Sequence, residues 1–298
     1  MSDSFIVGCG YVGKKVAECE LKDGGSVCAL VRRSSQANFL RSHGIDTVIF
    51  DLDDSDLSPL NLHGKTLYWF APPPSIGLID SRIASFLVSI ENHSLPSRLV
   101  LISTTGVYGD CRGKWVTESH PLRPQTRRGK CRVDAENVAR RWCKKNEVPT
   151  VILRVPGIYG PSKLPIERLK RRQPVLPADQ SPWSNRIHVY DLVRSCLAAA
   201  RVSIDCLAHS PVICNVSDGN PSTRTEFYFA VAKSHSLPCP PVLDQEATRK
   251  VLNSNNPPYL RESKRVDNTR MREWLGVVPE FPDLNSGLSA EGLSSSSN

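Results

Sequence analysis

The sequence predicts an α/β fold in which a doubly wound parallel sheet is followed by a smaller, loop-rich C-terminal region. Three observations support this prediction. A glycine-rich turn at residues 8–13 joins an apolar run to a helical pattern, and apolar strands then alternate with amphipathic helices as far as residue 155. Beyond Pro156 prolines become frequent and the alternation ends, which indicates a change of architecture.

The N-terminal residues combine a strand, a turn, a helix and a second strand. Residues 5–7 are apolar, residues 11–21 repeat apolar side chains at helical spacing, and residues 27–31 form a β-rich run. A strand that enters a helix through a glycine turn and continues into a second strand is typical of a nucleotide-binding βαβ unit.

The turn has the pattern Gly8-x-Gly10-x-x-Gly13, and each glycine has a distinct expected role. Gly8 permits a tight turn, Gly10 lets a pyrophosphate approach the backbone, and Gly13 lets the helix pack close to the strand. The phosphates would accept hydrogen bonds from free N–H groups at the start of the helix, so Tyr11 and Val12 join the predicted cofactor-binding residues of this Rossmann unit. The alternative is a glycine turn that binds no ligand.

The end of the second strand indicates which dinucleotide is bound. An acidic residue there would bind the 2′-hydroxyl of NAD, whereas this chain has Arg32 and Arg33, whose guanidinium groups suit a 2′-phosphate. We therefore predict NADP as the cofactor, with NAD as the alternative. Two solvated arginines at a strand end are the competing interpretation.

The rest of the chain continues the strand and helix pattern and then loses it. Strands are predicted at residues 47–50, 66–70, 98–103, 150–155 and 212–216, and helices at residues 34–43, 79–90, 129–146, 222–233 and 267–275, with one more running from residue 191 to about residue 201. Pro72, Pro73 and Pro74 cannot continue a sheet, so the chain leaves it at the carboxyl edge, where ligands bind in such folds.

The same pattern predicts the domain organisation. Residues 1–160 form the dinucleotide-binding domain, and residues 161–284 form a smaller substrate-binding region that is interleaved with the sheet edge. Residues 285–298 are mostly Ser and Gly and are predicted to be a disordered tail.

Composition places the chain among ordinary globular proteins. It has 298 residues, of which 40% are apolar, and no apolar stretch approaches the roughly 20 residues that a membrane helix requires. The first strand begins so early that no signal peptide is expected, and we predict a cytoplasmic protein without membrane contact. The 10 cysteines include no C-x-x-C pair, so reduced thiols are expected and no metal site is predicted.

Basic residues are concentrated in one part of the sequence. Eleven Lys and Arg residues lie between Arg112 and Lys145 against three acidic ones, which accounts for the whole net charge of +8. Such a cluster attracts phosphate-rich ligands or nucleic acid, but it is more often a solvated helix face. Nucleic-acid binding therefore ranks last among the candidate functions.

Five motifs follow one another along the chain: the glycine turn at residues 8–13, Ser103-Thr-Thr-Gly-Val-Tyr-Gly109, Arg154-Val-Pro-Gly-Ile-Tyr-Gly-Pro161, Ile187-His-Val-Tyr-Asp191 and Cys214-Asn-Val-Ser217. Together they resemble the extended short-chain dehydrogenase/reductase family, whose nucleotide-sugar epimerases and dehydratases have similar motifs in the same order. The resemblance covers about residues 5–280.

The resemblance assigns further residues to the site. It implies that Asp51 and Leu52 lie by the adenine. It also implies that Ala71 and Pro72 lie by the ribose and nicotinamide, and that Thr104 occupies the position of the catalytic Ser or Thr. Relatives that dimerise through a helical bundle make a homodimer the expectation.

One motif of that family is absent. Members usually have a tyrosine that acts as general acid and base, followed four residues later by a lysine, and the corresponding residues here are Arg128 and Arg132. An alternative register on Lys130 places Thr126 at the tyrosine. Arginine stays protonated far above neutral pH and a threonine hydroxyl is too weak an acid, so neither register restores the proton transfer.

Other side chains could supply the proton. Tyr108, Tyr159 and His188 are chemically capable and lie in the recurring motifs, although packing or substrate contact would equally explain each of them. Thr104 and Tyr108 are the predicted catalytic residues. Arg154 and Arg186 could bind an anionic substrate through two parallel hydrogen bonds.

Three functions follow in order of preference. The first is an NADP-dependent oxidoreductase or epimerase/dehydratase-like enzyme that acts on a small molecule, which could be anionic. The second is a catalytically degenerate NADP(H)-binding protein or sensor, which the loss of the tyrosine and lysine favours. The third is an RNA-binding member of the family.

Overall fold

The computed structural model describes residues 3–54, 60–203, 211–253 and 262–294. Two compact units divide the chain, and each consists of three segments. The first unit comprises Met1–Val107, Arg127–Arg154 and Val193–Cys214, and the second comprises Tyr108–Thr126, Val155–Leu192 and Asn215–Asn298. These units differ from the continuous ranges 1–160 and 161–284 that the sequence predicted, because the chain passes between them several times.

In chain order the strands are β1 (Ser4–Val7), β2 (Val27–Val31), β3 (Asp46–Ile49), β4 (Thr66–Trp69), β5 (Arg98–Thr104), β6 (Trp115–Val116), β7 (Thr150–Val155), β8 (Gly157–Tyr159), β9 (Trp183–Ser184), β10 (Arg186–His188), β11 (Val212–Asn215), β12 (Ser222–Thr223) and β13 (Arg265–Val266). The helices are α1 (Tyr11–Lys22), α2 (Ser34–Arg41), α3 (Ser81–Val88), α4 (Arg127–Asn146), α5 (Ile166–Lys170), α6 (Val189–Arg201), α7 (Arg224–Ser234), α8 (Gln245–Asn253), α9 (Thr269–Glu273) and α10 (Leu284–Ser294).

A seven-stranded sheet forms the centre of the first unit, in the order β11-β7-β5-β4-β1-β2-β3. Strand β1 pairs in parallel with β2 on one side and with β4 on the other, so that Ser4 lies opposite both Val27 and Thr66. The strand order reverses between β1 and β4, and in doubly wound sheets ligands bind in the crevice at the carboxyl ends of such strands. The predicted fold class is confirmed.

Buried apolar side chains fix α3 and α4 on this sheet. The ring of Phe86 in α3 contacts Trp69 of β4 at a centroid distance of 5.2 Å, and Phe5 of β1 at 6.4 Å. In α4, Ala135 and Trp142 belong to the same core cluster. The helix predicted at residues 129–146 therefore packs on the sheet through these side chains.

The second unit is built from short elements, as the frequent prolines predicted. Its strands pair two by two, β8 with β10, β9 with β12 and β6 with β13. A separate core gathers Tyr159, Leu169, Phe227, Val231 and Leu288, which come from β8, α5, α7 and α10. Helix α8 was not predicted from the sequence.

The structure corrects the prediction of a disordered tail. Residues 285–294 belong to α10, and Leu288 is buried in the core of the second unit. Gly287 permits this packing, because a Cβ atom at that position would stand 2.1 Å from the Tyr159 hydroxyl. The Ser- and Gly-rich composition did not indicate a helix, because tertiary packing and not intrinsic helix propensity stabilises it. Residues 295–298 lie outside the described part of the chain.

Two expectations from composition concern membranes and cysteines. None of the helices in the described ranges has the length and apolar character that a membrane span requires. All nine cysteines that the structure describes are free, and most of them are buried as small apolar side chains. Cys206 lies outside the described residues.

Candidate functional site

The glycine turn lies at the carboxyl end of β1, where the sheet order reverses. Gly8 has a φ of +92°, and a Cβ atom there would stand 2.5 Å from the Ala71 nitrogen. A Cβ atom on Gly13 would stand 2.9 Å from the Gly8 carbonyl oxygen and 3.3 Å from side-chain atoms of Ile6 and Phe70. Both glycines therefore have the geometry that their predicted roles in the tight turn and in helix packing require.

Gly10 differs from the other two glycines. A Cβ atom at Gly10 would meet no atom within 4 Å, so the backbone at the start of α1 faces open space. Gly10 is the N-cap of α1, no side chain caps this end, and the first turn contains no acidic residue. A glycine with open space beside it at the N-terminus of a helix is the arrangement that accepts a pyrophosphate, since the helix dipole favours negative charge there.

The turn is supported by a residue that the sequence analysis missed. Gln36 of α2 donates a hydrogen bond from Nε2 to the Cys9 carbonyl oxygen at 2.8 Å, which holds the middle of the glycine turn. Burial raises the pKa of the Cys9 thiol to about 12, so this cysteine is a neutral packing group. The spacing between a glycine turn and a later helix gives no signal for such a contact.

Arg32 and Arg33 follow β2 and are both exposed. The Nε atom of Arg32 lies 3.9 Å from Asp51 Oδ2, so part of its charge is balanced by a carboxylate at the end of β3. Arg33 is the N-cap residue of α2 and forms no side-chain cap. No carboxylate of the described residues forms an ion pair with Arg33, so Arg33 is the better candidate of the two for a phosphate.

Arg82 joins two predicted cofactor segments. Its guanidinium donates to both carboxylate oxygens of Asp53, at 2.7 and 2.5 Å, and to the Pro72 carbonyl oxygen at 3.1 Å. The hydrogen bond from Arg82 lowers the pKa of Asp53. This bidentate contact fixes the turn that contains Asp51 and Leu52 relative to the turn that contains Pro72. No sequence motif indicates this contact, because Arg82 lies in a helix between the recurring motifs.

The two arginines that the first register aligns with the family's tyrosine and lysine are in different environments. Arg128 is exposed on α4, whereas Arg132 is 3% exposed. Arg132 donates a hydrogen bond to the Ala71 carbonyl oxygen at 2.9 Å, and its Nη1 lies 3.7 Å from Asp80 Oδ2. Burial lowers the pKa of Arg132 to about 10, and Asp80 opposes that shift. Arg132 therefore remains a cation at neutral pH, and Asp80 balances its charge within the protein.

The first half of α4 holds the loop that follows β4. Besides the contact of Arg132, Arg127 donates to the Pro74 carbonyl oxygen and Cys131 to that of Gly77, at 2.5 and 3.6 Å. Asp134 accepts a hydrogen bond from the Asp80 backbone nitrogen at 2.8 Å. The helix segment that provides catalytic side chains in the family thus anchors residues 71–80 in this chain.

The middle of α4 contributes to a buried ion pair. Arg154 of β7 donates to both oxygens of Glu136, at 3.1 and 2.8 Å, and Ser103 donates to Oε1 of the same carboxylate at 2.6 Å. Arg154 and Glu136 are each almost fully buried. The expectation that Arg154 binds an anionic substrate is wrong, because Glu136 already occupies its guanidinium.

Thr104 is the last residue of β5 and is partly exposed at the carboxyl edge of the sheet. Its hydroxyl oxygen accepts a hydrogen bond from the Gly106 nitrogen at 3.2 Å, and its hydroxyl proton is not used by that contact. The residue is therefore positioned at the edge where the resemblance expects a catalytic hydroxyl.

The candidate proton donors belong to the second unit and are all buried. Tyr108 donates a hydrogen bond to Asn215 Oδ1 at 2.6 Å, and Tyr159 donates to the Asp283 carbonyl oxygen at 3.3 Å. His188 packs against the rings of Tyr159 and Phe281, at centroid distances of 5.2 and 4.1 Å. These contacts give each side chain a packing function, which was the alternative explanation.

Arg186 is partly exposed and lies on the ring of Phe227, at 4.2 Å from the centroid.

The basic cluster predicted between residues 112 and 145 is divided between the units, with Arg112, Lys114 and Arg123 in the second and the rest on α4 in the first. In the described ranges no group of three or more His, Cys, Asp and Glu side chains is arranged to hold a metal ion.

Residues 82–205 match the NAD dependent epimerase/dehydratase family. This match confirms the resemblance that the five motifs indicated. The glycine turn lies outside the matched residues, so its assignment depends on the geometry described above and on the fold. Among curated proteins no sequence matches the chain.

Solved structures with the same fold cover the whole chain. A conserved protein of unknown function from Silicibacter pomeroyi shares 26% identity over 99% of each chain, with a TM-score of 0.76. UDP-glucuronic acid 4-epimerase from Bacillus cereus, in complex with NAD, shares 18% identity over 97% of this chain and 95% of the epimerase, with a TM-score of 0.76. UDP-glucose 4-epimerase from Thermotoga maritima, with UDP-glucose, shares 16% identity over 98% and 97%, with a TM-score of 0.76. At these identities the two epimerases establish the fold alone.

Proposed function

We propose that this protein is an NADP-dependent enzyme of the epimerase/dehydratase type that acts on a small molecule. The observation that supports the proposal best is the open space beside Gly10 at the start of α1, where the first turn contains no acidic residue. Gly8, Gly10 and Gly13, with the N–H groups of Tyr11 and Val12, would hold the pyrophosphate. The bound dinucleotide would supply hydride chemistry.

The remaining cofactor residues divide between the two ends of the dinucleotide. We propose that Arg33 and Arg32 bind the 2′-phosphate and that Asp51 and Leu52 lie by the adenine. Ala71 and Pro72 would contact the ribose and nicotinamide side, held in place by Arg132 and Arg82. In this arrangement the chain's own residues orient the cofactor, and Thr104 offers its hydroxyl to the substrate.

Calorimetry with the purified chain tests the cofactor. We expect NADP to bind at least about tenfold more tightly than NAD, because each charge-assisted contact to the 2′-phosphate contributes roughly 1.5–3 kcal/mol. Arg33→Met should remove most of that preference, and Arg32→Met should remove less because Asp51 shares its charge. Lys145→Met, which removes an equal charge from the end of α4, is the control. Equal affinity for NAD and NADP in the wild-type chain would contradict the NADP assignment.

The nature of the substrate is a further part of the proposal. Solved structures with the same fold include enzymes in complex with UDP-glucose and with a UDP-glucuronic acid analogue, so nucleotide sugars are the first compounds to assay. Turnover should change the absorbance of NADPH, or convert one sugar nucleotide into another, and Thr104→Ala should lower the rate.

A homodimer and a cytoplasmic location are also proposed from the family, and light scattering tests the dimer.

A second candidate is favoured by one observation on α4. Arg132 is buried against Asp80 and Arg128 points into solvent, so neither replaces the proton transfer of the missing tyrosine. The chain would then be an NADP(H)-binding protein or sensor that performs no chemistry. This candidate would be favoured over the enzyme if the chain bound NADPH tightly, turned over none of the nucleotide sugars assayed, and bound NADPH equally well after Thr104→Ala.

A further inference from the structure

Arg265 of β13 is held by one hydrogen bond and two aromatic rings of the second unit. Strand β13 pairs with β6, so Arg265 lies opposite Trp115. Its Nε atom donates a hydrogen bond to the Gly113 carbonyl oxygen at 2.7 Å. Its Cζ atom lies 5.4 Å from the ring centroid of Trp115 and 5.3 Å from that of Trp183. Both distances suit a cation–π contact, so the guanidinium has a fixed position before any ligand binds.

The backbone around this arginine supports the same position. The Gly113 nitrogen donates to the Ser263 carbonyl oxygen at 2.9 Å, and the Arg265 nitrogen donates to the Lys114 carbonyl oxygen at 2.9 Å. Gly113 has a φ of +72°, and a Cβ atom there would stand 3.2 Å from Trp183 Cδ1. A glycine suits this position because it permits both the backbone angle and the close approach of the indole.

The charge of Arg265 is not balanced by a carboxylate. Among the described residues it forms no ion pair, and its two Nη atoms form no hydrogen bond. The neighbouring acidic side chains have other partners, since Glu262 pairs with Lys264 at 2.9 Å and Asp267 accepts a hydrogen bond from the Thr269 nitrogen at 2.9 Å. Because Arg265 is partly exposed, the end of the guanidinium that carries both Nη atoms can donate to a ligand.

Trp115 exposes 49% of its surface beside this guanidinium. Arg112 and Lys114, in the turn before β6, are exposed as well, and neither forms an ion pair with a described residue. Tryptophan and arginine are enriched at binding contacts, and a half-exposed indole offers a large, rigid apolar surface. The positive charge around it favours an anionic ligand.

Packing alone explains only part of this arrangement. It accounts for the contacts of Arg265 with Gly113 and Trp183, which join β13 to the turn before β6 and to β9. It does not account for a cation without a counter-charge beside a half-exposed indole. A bound anion accounts for both, because it balances the charge and covers the ring.

We propose that Arg265 and Trp115 form a binding site for an oxyanion, a carboxylate or a phosphate group, that is joined to a planar or apolar group. The two Nη atoms donate parallel hydrogen bonds to two oxygens of the anion, and the exposed ring of Trp115 packs on the adjoining group. Both residues belong to the second unit, so the site goes beyond the proposed function and does not depend on a bound dinucleotide.

Titration of sulfate and benzoate into the full-length chain at constant ionic strength tests the site through tryptophan fluorescence. Two of the five tryptophans contact the guanidinium, so binding should give a saturable change in emission. Arg265→Met should weaken the binding of both probes by about tenfold or more, because the charge-assisted hydrogen bonds are lost. Arg265→Lys keeps the charge without the two parallel donors, and its affinity should lie between the two. Arg171→Met, an exposed arginine at the end of α5, is the matched control and should bind as the wild type does.

Trp115→Leu distinguishes binding from packing. The wild type should bind benzoate about two- to tenfold more tightly than acetate, because the benzoate ring stacks on the indole. Trp115→Leu should lose this preference and still bind sulfate through Arg265, with Trp183 as the fluorescent reporter. A preference for benzoate that persists in Trp115→Leu would contradict the role of the indole.

Two results would overturn the site: a wild type that gives no saturable change with sulfate, inorganic phosphate or benzoate, or an Arg265→Met variant that binds these anions as tightly as the wild type. If Arg265→Met does not fold, Arg265→Lys takes its place, and unchanged sulfate affinity overturns the site in the same way. Tighter binding of inorganic phosphate than of benzoate supports a phosphate ligand, and the reverse supports a carboxylate. These outcomes are independent of whether the chain binds NADP, so failure of the proposed function would be recognised separately.

Discussion

The Ala71 backbone nitrogen lies 2.5 Å from the point that a Cβ atom of Gly8 would occupy. The glycine turn after β1 and the proline-rich turn after β4 are therefore in direct backbone contact. This contact lies where the strand order reverses, so the backbone geometry of the candidate cofactor site depends on a residue without a side chain.

Gly8→Ala should destabilise the first unit strongly. A φ of +92° is strained for alanine, and the added methyl group would overlap backbone atoms that cannot move aside. Together the two effects should lower the free energy of unfolding by about 2–5 kcal/mol. Urea denaturation followed by circular dichroism measures the change, and a variant as stable as wild type would contradict the described geometry.

Gly10→Ala is the matched comparison for cofactor binding. The methyl group would enter open space, so the free energy of unfolding should change by less than about 1 kcal/mol. The same methyl group would occupy the approach of the pyrophosphate, and affinity for NADP should fall by about tenfold or more. Calorimetry gives the affinity and urea denaturation gives the stability. Normal affinity in this variant would place the cofactor elsewhere.

Much of the fold could be predicted from the sequence because its signals are local. The alternation of apolar strands and helices, with Gly8 and the prolines after β4, specified a parallel sheet before any contact was known. Helix α10 was missed because its stability depends on a long-range contact, in which Leu288 packs with Phe227 and Tyr159. Composition alone contains no information about such a contact.

The site was less predictable for the same reason. The motifs indicated Thr104 and the glycine turn, because both are recognised from residues that are neighbours in the sequence. They did not indicate Arg82, whose bidentate contact joins two distant turns, or Glu136, which occupies the guanidinium of Arg154. Whether an arginine is available to a ligand depends on which carboxylate reaches it in three dimensions.

Removing one member of the buried Arg132–Asp80 pair should be more harmful than removing both. Arg132→Met leaves the Asp80 carboxylate without its counter-charge, and we expect a loss of about 3–5 kcal/mol in the free energy of unfolding. The double variant Arg132→Met with Asp80→Asn removes both charges and keeps an N-cap acceptor for α3, so it should recover part of the loss. Urea denaturation of the wild type, the two single variants and the double variant measures this coupling, and additive losses would show that the pair does not interact.

The stability of the chain should depend on Asp218 over a defined pH range. Burial raises the pKa of its carboxyl group from the ordinary 3.8 to about 8. The unfolded chain therefore releases this proton at lower pH than the folded chain does, and stability is lost as the pH rises from about 4 to about 8. Asp218→Asn lacks this titration, so its unfolding midpoint relative to wild type should rise across that range and level off above it. If the unfolding midpoints of the two proteins change equally with pH, Asp218 is already ionised in the folded chain.

Gly287→Ala should detach α10 from the second unit. A Cβ atom at this position would stand 2.1 Å from the Tyr159 hydroxyl and 2.7 Å from two of its ring carbons, so either the helix or the buried tyrosine must move. We expect a loss of about 1–3 kcal/mol in the free energy of unfolding. Ser289→Ala, at an exposed position on the same helix, should change it by less than about 0.5 kcal/mol. Limited proteolysis should also release the C-terminal segment faster from Gly287→Ala than from Ser289→Ala. Equal stability and equal cleavage rates in the two variants would mean that α10 does not pack on Tyr159 in solution.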